Sequence, residues 1–247
     1  MKRKLRKLKR KLKKAPILLI VLVLVIAIIV VFLISYTIMN NNKEYNNLVK
    51  EALEINNKLT INNIDKYYIE NISNKKISKT KENIILEKAI EDFSREYMQI
   101  KEAAIAEIKD QTYANLLVAP NYQADAPTFA TSHVYIKNKS DNLKSHKEKL
   151  NTIVSKTYNT KFIKERTSDK NTIKKYNILV KNIINKKEIE LLNSNIDEVE
   201  YILQTTDSIL TYLGNNSNAW HIENNEIIFI SNEVKTEYEN MISKIKR

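Results

Sequence analysis

Apolar side chains fill one long, uninterrupted stretch near the N-terminus of the chain. Every residue from 17 to 34 is apolar, and the run continues to Met39 with few polar interruptions. A helix needs about 20 such residues to cross about 30 Å of hydrocarbon. A buried core helix of this length would show a polar stripe, and a cleaved signal peptide has a shorter apolar region that ends in small residues. The pattern therefore predicts an uncleaved transmembrane helix over residues 16–39.

Beyond Met39, apolar residues recur at intervals of three and four, which is the spacing of one helix face. This spacing predicts a juxtamembrane helical segment over residues 40–79, with one helix over 43–59 and a second, Asn-rich helical piece with Ile61, Ile64 and Tyr68. It then predicts a longer helix over 80–117 that Thr80 caps. The residues expected to face the core are Leu86, Ile90, Phe93, Tyr97, Ile100, Ala104 and Ile108.

Two prolines and two polar stretches divide the next part of the pattern. Pro120 and Pro127 predict an irregular connection over residues 118–127, either a simple link between helices or a functional loop. Asp125 is expected to cap a helix that runs to residue 158. The polar residues 159–170 predict a turn, and a shorter helix is expected over 171–192.

The most regular apolar seam follows this shorter helix. Asn193-Ser194-Asn195 is expected to interrupt the helix. A new helix is expected to begin there, because Asn195 and Glu198 have the spacing of a capping box. Gly214, which tolerates a positive φ, predicts the end of the helix. The seam is compatible with a short coiled coil, but its length favours antiparallel packing inside a bundle. Its members are Ile196, Val199, Leu203, Thr206, Leu210 and Leu213.

Alternating polar and apolar positions replace the helical spacing at residues 219–230. Asn224-Asn225 suits a tight turn, since both residues tolerate the left-handed conformation. The expected cross-strand pairs are Trp220 with Phe229 and Ile222 with Ile227. This apolar face should pack on helices, because a lone hairpin is marginally stable. Alternatively, Trp220 and Phe229 would contact a partner protein. Asn232 is expected to cap a last helix.

Glycine and proline are rare, with one glycine and three prolines in 247 residues. This composition is typical of helical proteins. The predicted fold class is all-α, in which a single N-terminal transmembrane helix precedes an extracytoplasmic helical bundle. The bundle spans residues 80–247 and includes a small β-hairpin near the C-terminus.

The distribution of charge predicts the orientation of the transmembrane helix. The first 14 residues hold ten of the 41 basic residues and no acidic one, which leaves 31 basic against 29 acidic residues elsewhere. Positive segments stay on the cytoplasmic side, so residues 1–15 are expected to be a cytoplasmic tail on the anionic inner leaflet of the bilayer. They are a plain topology signal or, alternatively, a lipid sensor. The expected membrane-surface contacts are Lys2, Arg3, Lys4, Arg6, Lys7, Lys9, Arg10, Lys11, Lys13 and Lys14.

Candidate chemistry is sparse in this sequence. The chain has no cysteine, which removes disulfides, thiolate catalysis and cysteine-based zinc sites. Its three histidines, His133, His146 and His221, lack a metal-binding spacing, and a single glycine permits no phosphate-binding loop. Acidic pairs such as Glu188 with Glu190 and Glu198 with Glu200 are interpreted as solvated helix faces. No catalytic, cofactor-binding or metal-binding residue is predicted, and no cofactor.

The leading functional hypothesis is a single-pass, non-catalytic envelope protein whose outer helical domain binds or scaffolds another protein. An alternative is an extracytoplasmic ligand sensor, which would signal through a membrane partner because a short tail cannot house a signalling domain. A wall- or lipid-modifying enzyme would require a polar cleft that the sequence does not indicate. A nearly neutral outer domain argues against nucleic-acid binding. The enrichment in Asn, Lys and Ile suggests a low-GC bacterium.

Overall fold

One continuous helix of 57 residues opens the chain. The computed structural model describes the backbone of residues 2–75 and 78–245, and the side chains of residues 26–72, 74 and 78–245. Helix α1 spans Lys2–Lys58, and it is long and apolar enough to cross a membrane. Side chains 26–39 are all exposed, whereas Leu48, Ala52 and Ile55 are fully buried. The same helix therefore has an exposed apolar segment, followed by a segment that is buried in the core.

A tight reversal follows α1 where the sequence predicted a further helix. Strands β1 (Leu59–Thr60) and β2 (Asn63–Ile64) pair antiparallel. The predicted helical piece is therefore wrong at Ile61 and Ile64, and only Tyr68 lies in a helix. The Thr60 hydroxyl accepts a hydrogen bond from the backbone N–H of Asn63 and closes the turn. A short helix α2 (Lys66–Glu70) and a 3-10 turn (Ile72–Lys75) then lead back.

Two further helices run parallel to the second half of α1. Helix α3 spans Lys81–Lys109, and helix α8 spans Lys170–Ile183. This segment of α1 and helix α3 run in the same direction, because Asn41 lies beside Asn83 and, further along both, Leu59 lies beside Lys101. Along α8, the Tyr45 hydroxyl bonds to the Lys175 carbonyl and Asn56 bonds to the Asn182 carbonyl. The second half of α1 is thus one helix of a parallel three-helix group. The proposed division between residues 40–79 and 80–247 stays a prediction.

A second group of helices extends the bundle away from the apolar half of α1. Helix α5 spans Ala130–Val154 and helix α9 spans Lys186–Asn215. Their contacts His133–Asp207 and Asn151–Asn193 run in opposite directions along the two chains, so the antiparallel packing of the apolar seam is confirmed. All the seam residues of α9 are buried, namely Ile196, Val199, Leu203, Thr206, Leu210 and Leu213.

The connections between these helices are more helical than their sequence suggests. Residues 118–127 were predicted to be irregular, but helix α4 covers Ala119–Asp125. Pro120 fits because proline is tolerated in the first helical turn, where its missing N–H has no partner to lose. The next helix is shorter than predicted and begins after Phe129, but the Asp125 carboxylate still caps it by accepting the backbone N–H groups of Thr131 and Ser132. The predicted turn at 159–170 contains parts of α6 (Lys156–Asn159) and α7 (Lys161–Lys164).

Helix α9 begins earlier and ends later than its sequence signals indicate. The break lies at Ile184-Asn185, where Asn185 accepts the backbone N–H of Glu188, and the predicted interruption at 193–195 is wrong. Asn193 instead lies within α9, and its side-chain amide donates a hydrogen bond to the Asn151 side chain of α5 at 2.9 Å. Gly214 lies inside the last turn without a positive φ. A Cβ there would lie 2.6 Å from the Pro127 carbonyl oxygen, so close packing explains this glycine.

The far end of the molecule carries the predicted hairpin. Strands β3 (Trp220–Glu223) and β4 (Glu226–Phe229) pair with Trp220 opposite Phe229 and with Asn224-Asn225 at positive φ. The last helix, α10, spans Asn232–Ile245. Ser231, not Asn232, caps it by accepting the Val234 backbone N–H. The described chain is 81% helical.

Helix lengths show how far the two ends of the bundle lie apart. Glu188 at the start of α9 contacts Lys101, which is level with the end of α1. From there α9 runs away from residue 40 and ends beside the hairpin. At 1.5 Å per residue, the path along α1 and then α9 places the hairpin about 60 Å from residue 40.

Candidate functional site

A buried carboxylate joins α1 to α3 just beyond the apolar run. Glu44 is 5% exposed. Its carboxylate accepts hydrogen bonds from the backbone N–H groups of Lys79 and Thr80, at 3.1 and 2.9 Å, and from the Thr80 hydroxyl at 2.8 Å. Thr80 is the N-cap residue of α3, as predicted, but its own side chain makes no cap hydrogen bond. Glu44 therefore caps the N-terminus of α3 from another helix.

The surroundings of Glu44 favour its ionised form. Burial by itself would raise the pKa, but the hydrogen bonds from Thr80, Lys79 and Asn83 outweigh it and lower the pKa from 4.5 to about 2. The positive end of the α3 dipole adds to the same effect. Asn41 contributes a second link, because its side chain bonds to Asn83 at 2.6 Å and to Glu82 at 3.0 Å.

This junction was not predicted from the sequence, although a signal for it was present. Glu44 falls on the same face of α1 as the buried residues Leu48, Ala52 and Ile55. A buried acidic residue beside apolar ones on the inner face of a helix requires a polar partner. The partner group lies 36 residues further along the chain, so no local pattern identifies it.

Buried lysines form two further polar links between helices. Lys101 is 1% exposed and contacts the Glu188 carboxylate and the Leu59 carbonyl oxygen. Lys139 bonds to Asp110 at 2.8 Å. Burial lowers the pKa of Lys101, and the Glu188 carboxylate opposes that shift. Glu188 was interpreted as part of a solvated face, and this was wrong, because it neutralises a buried cation where α1, α3 and α9 meet.

An aromatic cluster fixes the hairpin on the helices. Trp220 is buried, its indole N–H donates to the Leu213 carbonyl at 2.8 Å, and its ring stacks on Phe129 with centroids 6.3 Å apart. Phe229 is half-buried against Tyr238, whose hydroxyl lies 3.0 Å from that of Tyr122. The hairpin leaves Ile228 and Ile230 exposed, the latter at 71%.

The structure brings few chemically reactive groups together. His133 bonds to Asp207 at 2.6 Å in a partly exposed pair, and His221 lies 3.6 Å from Glu223 on the outer hairpin face. Burial lowers the pKa of His146. Among the described residues, no group of three or more His, Asp or Glu side chains is placed to hold a metal ion.

The predicted membrane-surface residues lie outside the described side chains. They are Lys2, Arg3, Lys4, Arg6, Lys7, Lys9, Arg10, Lys11, Lys13 and Lys14, whose backbone belongs to α1. The interpretation of Trp220 and Phe229 as partner contacts stays a prediction.

Comparison of the chain with protein-family models, with curated proteins and with solved structures finds no match. The fold defines the protein as a mostly helical one, with one N-terminal apolar helix that continues into the core of a bundle.

Proposed function

We propose that the chain is a single-pass membrane protein whose outer helical domain binds or scaffolds another protein without catalysing a reaction. In this proposal residues 16–39 span a cell membrane, the basic residues 1–15 lie on its cytoplasmic side, and the bundle projects from the outer face. The observation that carries the membrane assignment is the uncovered apolar part of α1. The rest of the chain does not bury side chains 26–39. The hydrocarbon of a bilayer is the environment in which such an apolar surface is stable.

The binding function is supported by how α1 continues into the bundle. The helix enters the core without a linker, and the Glu44 cap ties it to α3. A domain attached in this way holds its far end at a fixed distance from the bilayer. The far end also presents Ile230 and Ile228 to solvent. A rigid support with an apolar tip suits a docking or scaffolding protein.

The proposal is tested by site-specific photo-crosslinking of the full chain in intact cells. A photoreactive residue replaces Ile230 at the far end, and the matched control replaces Leu191, which is 52% exposed on α9 near its start. We expect a discrete crosslinked protein from position 230 and none from position 191. The same products from both positions, or none from either, would contradict a specific docking function at the far end.

A further inference from the structure

Exposed lysines surround the place where α1 leaves its apolar half. They come from three neighbouring helices or the residues just before them, and we name them the collar lysines. They are Lys43, Lys79, Lys81, Lys170 and Lys174.

Hydrogen bonds place these lysines at one level of the molecule. Asn41 contacts Asn83 at the start of α3, and Thr172 at the start of α8 contacts Glu82. Helices α1, α3 and α8 are parallel here, so residues 40–44 of α1 lie beside the N-terminal residues of α3 and α8. With a rise of 1.5 Å per residue, the collar lysines lie within about 10 Å of residues 40–44 along the bundle axis.

The acidic groups at this level are already engaged inside the domain. Glu44 is buried in its cap, Glu82 pairs with Lys175 at 2.8 Å, and Asp169 caps α8 by accepting the Thr172 N–H at 2.7 Å. None of the collar lysines forms an ion pair with a described residue. Glu44 and Asp169 bond to uncharged groups and keep their own negative charge, but the five collar lysines outnumber them, so this end of the domain presents a net positive charge.

We infer that the collar lysines form a second membrane-contact surface that binds the anionic headgroups of the outer leaflet. The inference rests on the proposed membrane topology, which puts the headgroups beside residues 40–44. Lysine ammonium groups attract anionic lipid phosphates when they lie within a Debye length, about 10 Å at 0.1 M salt. Because the lysines lie on three helices around the anchor, headgroup contacts hold the bundle in one orientation relative to the bilayer.

A depth measurement on the full chain tests this surface. Since the chain has no cysteine, Asn171→Cys introduces a single labelling site in the first turn of α8, between Lys170 and Lys174. The labelled protein is inserted into vesicles of phosphatidylcholine, with or without phosphatidylglycerol. Collision of a spin label with a nickel-chelating lipid headgroup reports its distance from the bilayer surface. We expect more collisions when phosphatidylglycerol is present, and loss of that increase in 1 M salt, where the Debye length is about 3 Å.

Two charge-matched variants make the measurement specific. Changing all the collar lysines to Gln should abolish the effect of phosphatidylglycerol. Changing an equal number of exposed lysines elsewhere on the bundle should leave it intact. That control set is Lys144, Lys149, Lys186, Lys187 and Lys244. An increase that persists in the collar variant, or that free inorganic phosphate produces with neutral vesicles, would overturn the inference.

Vesicle flotation after alkaline extraction separates this inference from the proposed topology. If the chain stays inserted but the collision rate of its label does not depend on phosphatidylglycerol, only the collar inference fails. If the chain is extracted from the vesicles, the membrane assignment fails and the collar inference fails with it.

Discussion

The first, apolar half of α1 (residues 17–39) and its second, core half (residues 40–58) form one helix in two different surroundings. In the first half, Phe32 and Met39 are 69% and 72% exposed, whereas Leu48 and Ile55 in the second half are fully buried. Residues 17–34 are apolar on every side of the helix, whereas the core half buries a mainly apolar stripe against α3 and α8. An apolar side chain is stabilised only where something removes it from water. The protein provides that cover for the second half, and in the proposed function the bilayer provides it for the first.

The largest loss of stability is expected from a substitution in the hairpin at the far end of the bundle. Its cost is the value with which the substitutions in α1 are compared. Trp220→Ala should lower the free energy of unfolding by about 3–5 kcal/mol, the usual cost of truncating a large buried aromatic. His221→Ala, on the outer hairpin face, should stay within about 0.5 kcal/mol. Denaturant titration of the detergent-solubilised chain measures both. If Trp220→Ala left the stability unchanged but abolished association with a partner, Trp220 would be a recognition residue. If neither variant changed stability or binding, the result would argue against the hairpin.

Matched leucine substitutions test the difference between the two halves directly. Leu48→Ala removes a fully buried side chain and should cost about 2–5 kcal/mol in the same unfolding transition. Leu33→Ala removes one that the domain does not cover and should change the unfolding of the bundle by less than about 0.5 kcal/mol. Equal losses for the two variants would show that the first half also packs on the protein.

The joint between the halves should respond to pH through Glu44. Glu44→Ala leaves the N–H groups of Lys79 and Thr80 without their acceptor and should cost about 1–3 kcal/mol near neutral pH. The folded pKa is lowered from 4.5 to about 2, so the stabilisation is fully present above pH 4.5 and disappears as pH falls toward about 2. The stability difference between wild type and variant should shrink over that interval. A difference that is independent of pH would show that the charge of Glu44 contributes nothing.

The smallest effect on stability is expected in the basic tail. Changing Lys7, Lys9, Arg10 and Lys11 to Gln should scramble or weaken membrane insertion while changing the free energy of unfolding of the bundle by less than about 0.5 kcal/mol. Protease accessibility in wall-stripped cells measures orientation, and denaturant titration measures stability. A clear loss of stability would contradict the separation of the tail from the bundle.

Patterns within one element predicted structure well in this chain. The seam of α9 and the register of the hairpin were both predicted correctly, because each depends on side-chain spacing over a few turns or across one tight turn. The two residues of the hairpin turn adopt the expected positive φ values of 50° and 64°.

Features that depend on distant parts of the chain were missed. Asparagine is abundant in this sequence, so the true cap at Asn185 and the false one at Asn195 look alike locally. The backbone of Pro127 explains Gly214, and Glu44 supplies the cap that Thr80 was expected to provide. For Gly214 and Thr80 the deciding atom lies more than 30 residues away, beyond the reach of helix-capping rules.

Cysteine labelling in intact cells is the most direct test that α1 crosses a membrane between its two halves. Single cysteines replace Lys11, Val31, Asn42 and Asn171 in the otherwise cysteine-free chain, and a membrane-impermeant maleimide is added to wall-stripped cells. The account predicts labelling at positions 42 and 171, labelling at position 11 only after permeabilisation, and none at position 31 within the hydrocarbon. Labelling of position 11 in intact cells together with protection of position 171 would contradict the orientation, and labelling of position 31 would contradict the span itself.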